Sequence, residues 1–253
     1  MMVKTLGTKE WAKENFNISM GCMNDCLYCY AKAMADKYNR ISRPFWKHMQ
    51  NKTFEKIDKQ IHKVKNDDPN LYDIMFPSSH DLFEENLEKA VYALNGLLKA
   101  GNTVLIVTKP RISVISELLY SFADYKDKIL FRFTITTCDN TVKDYWEKNA
   151  PAIRERMICL YLAYSSGFKT SVSIEPFLDN TVVALVKNVH PYVTNDIWVG
   201  PMNFSHVPEE YIREVNQDLY YTKENLQTIK EMIDSLGFKN IRYKDHFLKI
   251  LRS

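Results

Sequence analysis

Cysteine is scarce in this 253-residue chain: there are five, an odd number, and three of them are clustered. That usage excludes a disulfide frame and indicates metal ligation in a reducing compartment. Glycine is scarce as well, at seven residues, and no G-x-G-x-x-G or G-x-x-x-x-G-K-[ST] follows any candidate strand. The two usual nucleotide-loop readings are thereby removed. No apolar run approaches the ~18 residues of a membrane span. The start, Met1-Met-Val-Lys-Thr, lacks the apolar core of a signal peptide. The expected location is the cytoplasm, with no membrane partner. Excess charge is also missing: a net charge of +3 is too small to imply a polyanion partner by itself. No linker or low-complexity segment interrupts the sequence, so residues 1–253 are expected to form a single domain. With 45% apolar and 26% charged residues, the composition is that of a soluble globular protein able to bury a full core.

What is present is a repeated unit of helix, glycine and short β-rich run. Leu97-Leu-Lys-Ala-Gly101 precedes Thr103 to Thr108, Tyr164 to Gly167 precedes Lys169 to Ile174, and Ser235-Leu-Gly237 precedes Asn240 to Tyr243. A glycine just past a helix end supplies the left-handed residue that closes it. Further strands are predicted at Phe16 to Ser19, Tyr72 to Phe76, Ile129 to Thr137 and Asp196 to Val199. Helices are predicted at Tyr28 to Asn39, Glu84 to Ala100, Val114 to Tyr125, Ile153 to Ser165, Thr181 to Asn188 and Lys223 to Leu236, the last with Thr222 as its N-cap. Such alternation predicts an α/β fold with a parallel sheet, as a Rossmann-like open sheet or a barrel.

The clustered cysteines are Cys22, Cys26 and Cys29, in the run Gly21-Cys-Met-Asn-Asp-Cys-Leu-Tyr-Cys-Tyr30. A ferredoxin-type site requires four cysteines, and a structural zinc site also requires four ligands. Three thiolates on a 4Fe-4S cluster leave one iron open, and an open coordination site is where a substrate or cofactor binds. A zinc site completed by His48 or His62 is the alternative use of the same cysteines.

The C-x3-C-x2-C spacing, with aromatic Tyr28 just before the third cysteine, resembles the radical S-adenosylmethionine (SAM) superfamily. Gly-Cys-x3-Cys-x-Tyr-Cys-Tyr-Ala at Gly21 to Ala31, Thr108-Lys109, and Ser173-Ile-Glu-Pro176 are similar to its spore photoproduct lyase-like branch. The resemblance implies a partial (β/α)6 TIM-type barrel, with the cysteines on the loop after the first strand. It implies two cofactors, a 4Fe-4S cluster and SAM. Reductive cleavage of SAM would give a 5'-deoxyadenosyl radical that abstracts hydrogen from a substrate. A reductant protein such as flavodoxin or ferredoxin is the implied electron donor. The chemistry would belong to the cofactor, while the protein binds, orients and excludes.

In barrels of this kind functional groups gather at the C-terminal ends of strands. After the second strand stands Pro77-Ser-Ser-His-Asp81, where most radical SAM proteins carry a Gly-Gly-Glu-like motif. Ser78 and Ser79 allow close backbone approach, and His80 or Asp81 can supply polar contacts to the cofactor. Lys109 ends the third strand, suited to the carboxylate of SAM. Thr136 at the fourth strand, Glu175 at the fifth and Met202 after the sixth complete the expected cofactor contacts, the last against adenine. Cys138 is a candidate hydrogen donor to a product radical. Cys159, in the apolar run Met157 to Leu162, is expected to pack in the core.

The substrate is marked by no comparable motif. Residues 32–65 carry ten Lys/Arg against three Asp/Glu, interleaved with Tyr38, Phe45, Trp46 and Phe54. Basic residues track phosphates and aromatics stack on bases, so this segment is a candidate nucleic-acid surface for DNA-lesion repair or base modification. Lys56, Lys59 and Lys63 also sit at a spacing that merely solvates a helix face. Two other functions stay open: a non-catalytic iron-sulfur redox or sensing protein, and a zinc-stapled nucleic-acid-binding module.

Overall fold

Runs in which nearly every residue is aliphatic, β-branched or aromatic, such as Val-Leu-Ile-Val-Thr and Ile-Leu-Phe-Arg-Phe-Thr, form strands buried on both faces. This is the pattern of a parallel sheet covered by helices. The computed structural model describes residues 7–214 and 221–252. Its strands are β1 (Ala12–Asn15), β2 (Ser19–Met20), β3 (Gln50–Asn51), β4 (Tyr72–Phe76), β5 (Val104–Thr108), β6 (Ile129–Thr134), β7 (Lys169–Ile174), β8 (Ile197–Val199) and β9 (Ile241–Tyr243). Its helices are α1 (Tyr30–Lys37), α2 (Phe54–Asp58), α3 (Glu84–Lys99), α4 (Ile112–Ser121), α5 (Asn140–Trp146), α6 (Ile153–Ser165), α7 (Val182–Val189), α8 (Glu209–Glu214), α9 (Lys223–Asp234) and α10 (Asp245–Arg252).

Seven strands pair in the order β1-β4-β5-β6-β7-β8-β9, all parallel, in a curled half-barrel. One helix crosses between each successive pair from β4 onward: α3, α4, α6, α7 and α9 carry the main crossovers. The partial-barrel class holds, and β9 adds a seventh strand to the six of the expected barrel. Gly101, Gly167 and Gly237 have φ of +91°, +78° and +72°, so all three predicted helix-to-strand joints close through a left-handed glycine. Among the described residues no helix is long and apolar enough to cross a membrane.

The two faces of the sheet differ. Toward the helices lies the main core, with Phe76, Ile106, Phe131, Phe133 and Val172 fully buried against α3, α4 and α6 side chains such as Leu94, Leu118 and Leu160. Cys159 belongs to this core, as expected. Inside the curl a smaller cluster joins Trp11, Ala12, Met75, Leu105 and Leu130.

The first strand is displaced from its predicted place. It lies at Ala12–Asn15 and not at Phe16 to Ser19. Phe16 and Ile18 are buried at 5% and 0% exposure, which gives the alternating pattern of a strand. The chain leaves the sheet there because the Asn17 side chain turns to accept from the backbone N–H of Ser78 (2.8 Å) and Ser79 (3.0 Å). Ser19–Met20 instead pairs antiparallel with Gln50–Asn51. Strand β6 ends at Thr134, before the predicted Thr137, and α4 gives way to a 3-10 stretch at Ala123–Lys128. Helix α5 was not predicted. Its Asp139 cap accepts from Thr141 N at 2.7 Å, and it carries Trp146 toward the cysteine loop.

Candidate active site

The three cysteines stand on the loop between β2 and α1, beyond the C-terminal ends of the barrel strands. Gly21 opens the loop at φ +87°, where a Cβ would lie 2.6 Å from the Trp46 carbonyl oxygen. Only glycine fits there. The Trp46 carbonyl then accepts from Cys22 N at 2.9 Å. Cys29 is the N-cap of α1, its sulfur accepting from Lys32 N at 3.4 Å. Lys32 reaches back to Asp25 at 2.8 Å, an ion pair that braces the middle of the loop. Ala31, Ala35, Trp46 and Phe83 form an apolar shell around Cys22 and Cys29.

All three thiols are free of disulfides, with Cys22 and Cys26 buried and Cys29 partly so. Burial pushes each of them up, Cys26 to about 12, and for Cys22 the Asp81 charge adds to the effect. Bare thiols would therefore stay protonated, whereas a coordinating metal deprotonates its thiol ligands outright. Among the described residues no three His, Cys, Asp or Glu side chains gather around one point as ligands of a single ion. Three sulfurs on one loop, two buried and one partly so, shielded by apolar groups, fit a cluster whose irons each take a separate thiolate. His62 is occupied elsewhere, 3.1 Å from Glu14 on β1.

The segment Pro77 to Asp81 holds the loop in place. Asp81 Oδ1 accepts from Lys109 N (2.7 Å) and Thr108 Oγ1 (3.0 Å), and Oδ2 accepts from Asn24 Nδ2 (2.7 Å), with Cys22 Sγ at 3.8 Å. Burial pushes the carboxyl up, but the Lys109 charge and these donors outweigh it and hold it below the usual range. His80 Nε2 accepts from Ile18 N and Ser19 N, each at 3.1 Å, while Nδ1 faces the Asp81 carbonyl at 2.9 Å. That pattern requires the neutral ring, and burial lowers its pKa to about 4. Asp81 and His80 therefore spend their polar atoms inside the protein. Together they form a clasp on the cysteine loop. Ser78 and Ser79, both partly exposed, are tied by Asn17, and Tyr30 donates to the Ser78 carbonyl at 2.5 Å.

Lys109 is 9% exposed, with Nζ 5.6 Å from the Tyr28 ring centroid and 3.7 Å from Glu147 Oε1. Burial works against its charge, but Cys26, Tyr28, Glu147 and Asp81 outweigh it and raise its pKa well above the ordinary value. It thus stands as a fixed cation beside Cys26 and Tyr28. Tyr28 donates a short hydrogen bond to Glu147. Glu147, fully buried, is also paired with Arg156 Nη2 at 2.5 Å, and Arg156 donates further to the carbonyls of Pro151 (2.9 Å) and Thr134 (3.3 Å). Sequence reading missed Glu147, Arg156, Asn17 and Asn24. Only Asn24, between two of the cysteines, carried a positional signal.

The remaining predicted residues lie apart in role. Met202 is 3% exposed and packs with Trp146, Leu178 and Val207, in a cluster that Leu27 and Tyr28 join. Thr136 is fully buried with an unpartnered hydroxyl. Glu175 faces Lys244 at 3.9 Å. Cys138 is exposed; its N–H donates to Thr181 Oγ1 at 3.0 Å and its sulfur accepts from Asn188 on α7 at 3.8 Å.

A family model, Radical SAM superfamily, matches residues 16–183. The chain belongs to the radical SAM superfamily. It is 24% identical over 239 residues, 90% of this chain and 76% of its relative, to an uncharacterized protein, ORF301, of Acidianus two-tailed virus. Its fold is similar to that of a spore photoproduct lyase variant, with TM-score 0.61 and 15% identity over 96% of this chain and 79% of the other. A second spore photoproduct lyase structure, with bound AdoMet and dinucleoside spore photoproduct, aligns with TM-score 0.58 and 14% identity over 90% and 75%. SuiB of Streptococcus suis, solved bound to S-adenosylmethionine, aligns with TM-score 0.62 and 12% identity over 96% of this chain and 54% of SuiB. At these identities the structural likeness speaks for the fold.

Proposed function

We propose that this radical SAM protein is a SAM-cleaving enzyme in which Cys22, Cys26 and Cys29 hold a 4Fe-4S cluster. When bound, such a cluster supplies the electron that splits SAM and starts hydrogen abstraction. The observation that carries the reading is a single loop of three disulfide-free thiols, two buried and one partly so, in a chain of this family. The residues around it have distinct tasks. Asp81 and Asn24 fix the loop against β4 and β5, and His80 anchors its entry through the Ile18 and Ser19 amides. Lys109 places a positive charge beside Cys26, which favours negative charge at the thiolate and at a bound carboxylate. Glu147 holds Tyr28 by its hydroxyl and Arg156 balances Glu147, so the aromatic ring next to Cys29 keeps one orientation.

The proposal extends to a protein reductant and to a nucleic-acid partner along residues 32–65. Support for the latter is partial, because Lys32, Lys52, Lys63 and Arg43 are engaged by Asp25, Gln60, Asp73 and Asp36. Tyr38 and Phe45 are 55% and 64% exposed, with Lys37 and Arg40 within 5.9 and 5.7 Å of the Tyr38 ring. A stacking platform flanked by cations is suited to single strands.

Anaerobic reconstitution with iron and sulfide, followed by electron paramagnetic resonance of the reduced protein, tests the reading. A signal that changes on adding SAM, with formation of 5'-deoxyadenosine, is expected. An unchanged signal leaves an iron-sulfur protein without SAM chemistry and overturns the proposal.

A further inference from the structure

Period-two alternation gives the central strands two chemically opposed faces. Phe131, Phe133, Val172, Ile174 and Val199 point to the helices and lie in the main core. The intervening positions, which face the inside of the curl, carry Arg132, Thr134, Ser171, Ser173 and Trp198. Register sets Arg132 opposite Ser171 and Ser173 opposite Trp198. Trp11, at the entry to β1, meets Trp198 edge to face at 5.6 Å.

Arg132 is 4% exposed and donates from Nε to Ser171 Oγ at 2.9 Å. Its guanidinium carbon lies 4.6 Å from the Trp11 ring centroid and 5.4 Å from that of Trp198. Arg132 Nη1, Trp11 Nε1 and Trp198 Nε1 are all buried without a hydrogen-bond partner, three of the six such side-chain atoms among the described residues. More than nine in ten buried polar groups find a partner, so a cluster of exceptions requires an explanation. All three atoms are donors, and none can accept. What is missing is an acceptor, and a guanidinium held over two indole rings, with an unpartnered N–H on each of the three side chains, is a donor set suited to an oxyanion.

The charges around the cage agree. Lys244 Nζ lies 4.1 Å from the Trp11 ring centroid and is paired with Glu10 at 2.8 Å. Asp196 is paired with Arg242 at 3.2 Å. Glu175 is pushed up mainly by burial, although 31% of its side chain is exposed and solvent screens part of that effect. Burial also pushes the Tyr72 hydroxyl up, which keeps it neutral. Asp196, Glu175 and Glu10 act on Arg132 through charge, but among the described residues none forms an ion pair with it. The cage lies along the strands, below the ends that carry Lys109 and the cysteine loop, and Glu175, an expected cofactor contact, borders it through Lys244. Trp198 is partly exposed and is the wall of the cage that meets solvent.

Taken with the enzyme reading above, on which its meaning as a substrate site rests, the geometry points to an oxyanion seat at Arg132, Trp11 and Trp198. The seat takes a carboxylate or phosphate group of the substrate. Its test is a titration of the reconstituted 253-residue chain, without reductant or SAM, with inorganic phosphate and separately with acetate. Tryptophan emission and calorimetry report binding. Saturable binding of at least one anion is expected, weakened on the order of 10- to 100-fold in Arg132→Gln. Trp198→Phe removes most of the emission change. Preference for a nucleoside monophosphate over its nucleoside identifies a phosphate group, and preference for a carboxylic acid over its amide identifies a carboxylate. Absence of saturable binding at millimolar anion, or equal affinity in Arg132→Gln, overturns the seat. If Arg132→Gln does not fold, Ser171→Ala serves in its place: it releases Nε, keeps the charge, and is expected to weaken binding several-fold, with unchanged affinity again overturning the seat. Because the titration uses neither SAM nor an electron, anion binding without SAM cleavage refutes only the enzyme reading. SAM cleavage without anion binding refutes only the seat.

Discussion

Two buried arginines lie on opposite sides of strand β6 and are treated in opposite ways. Arg156, behind the cysteine loop, meets Glu147 at 2.5 Å and donates to two backbone carbonyls. Arg132, inside the curl, has one serine hydroxyl, two indole rings and an unpartnered nitrogen. The same contrast extends to their neighbours. Around the cysteines, Asp81, His80 and Asn24 spend their polar atoms on one another and on backbone; inside the curl, Arg132 Nη1 and the indole N–H groups of Trp11 and Trp198 have no acceptor. A buried charge that is fully paired contributes to a fixed geometry, and one that is not paired raises the energy of the empty state until a ligand arrives. The first region is therefore built to hold its shape, and the second to receive something.

The comparison can be broken at several points. The largest effect is expected at the cysteines: replacing any one of Cys22, Cys26 or Cys29 by alanine should abolish both cluster absorbance and 5'-deoxyadenosine formation, and activity retained in any single variant would sink the assignment. Next comes the Glu147–Arg156 pair. Glu147→Ala leaves a guanidinium with no partner charge in the interior and should cost about 3–5 kcal/mol of unfolding free energy. The double variant Glu147→Gln with Arg156→Met should recover much of that loss, as measured by denaturant titration.

His80 supplies a pH signature. Its folded pKa is lowered from 6.5 to about 4, so between those values the unfolded chain binds more protons than the folded one. The stability it contributes is complete above pH 6.5 and falls as pH drops toward 4, by up to about 3 kcal/mol. Comparing melting at several pH values in wild type and His80→Gln should show a shallower pH slope in the variant; equal slopes would remove His80 from the clasp. The smallest effect is expected at the other arginine. Arg132→Met, without ligand, should change stability by no more than about 1 kcal/mol, because loss of the stacking on two indoles is offset by relief of unpaired burial. A loss as large as that at Glu147 would show that Arg132 is structural and erase the contrast.

Much of the fold was legible in the chain because its signals are local. The three helix-glycine-strand joints, the long apolar strands and the Thr222 cap follow from the needs of neighbouring residues and appear where they were expected. Phe16 and Ile18 misled, since burial alternates there for a reason other than sheet pairing: the side chain of Asn17 serves loop backbone more than sixty residues away. In the site, the cysteine spacing was legible because one loop carries all three cysteines. The roles of Asp81 and Lys109 were half legible, as their position at strand ends could be read but their partners could not. Glu147 and Arg156 carried no signal, because a pair between the residue that ends α5 and a side chain of α6 is a fact of packing.

The amino-acid sequence by itself determined the superfamily, the parallel α/β architecture and the three metal-ligand candidates, because each rests on short-range spacing or periodicity. Tertiary structure decided which polar residues are consumed and which are left waiting. That distinction depends on whether an acceptor lies within about 3 Å of a buried donor, and only the folded chain brings Trp11, Arg132 and Trp198 to one place.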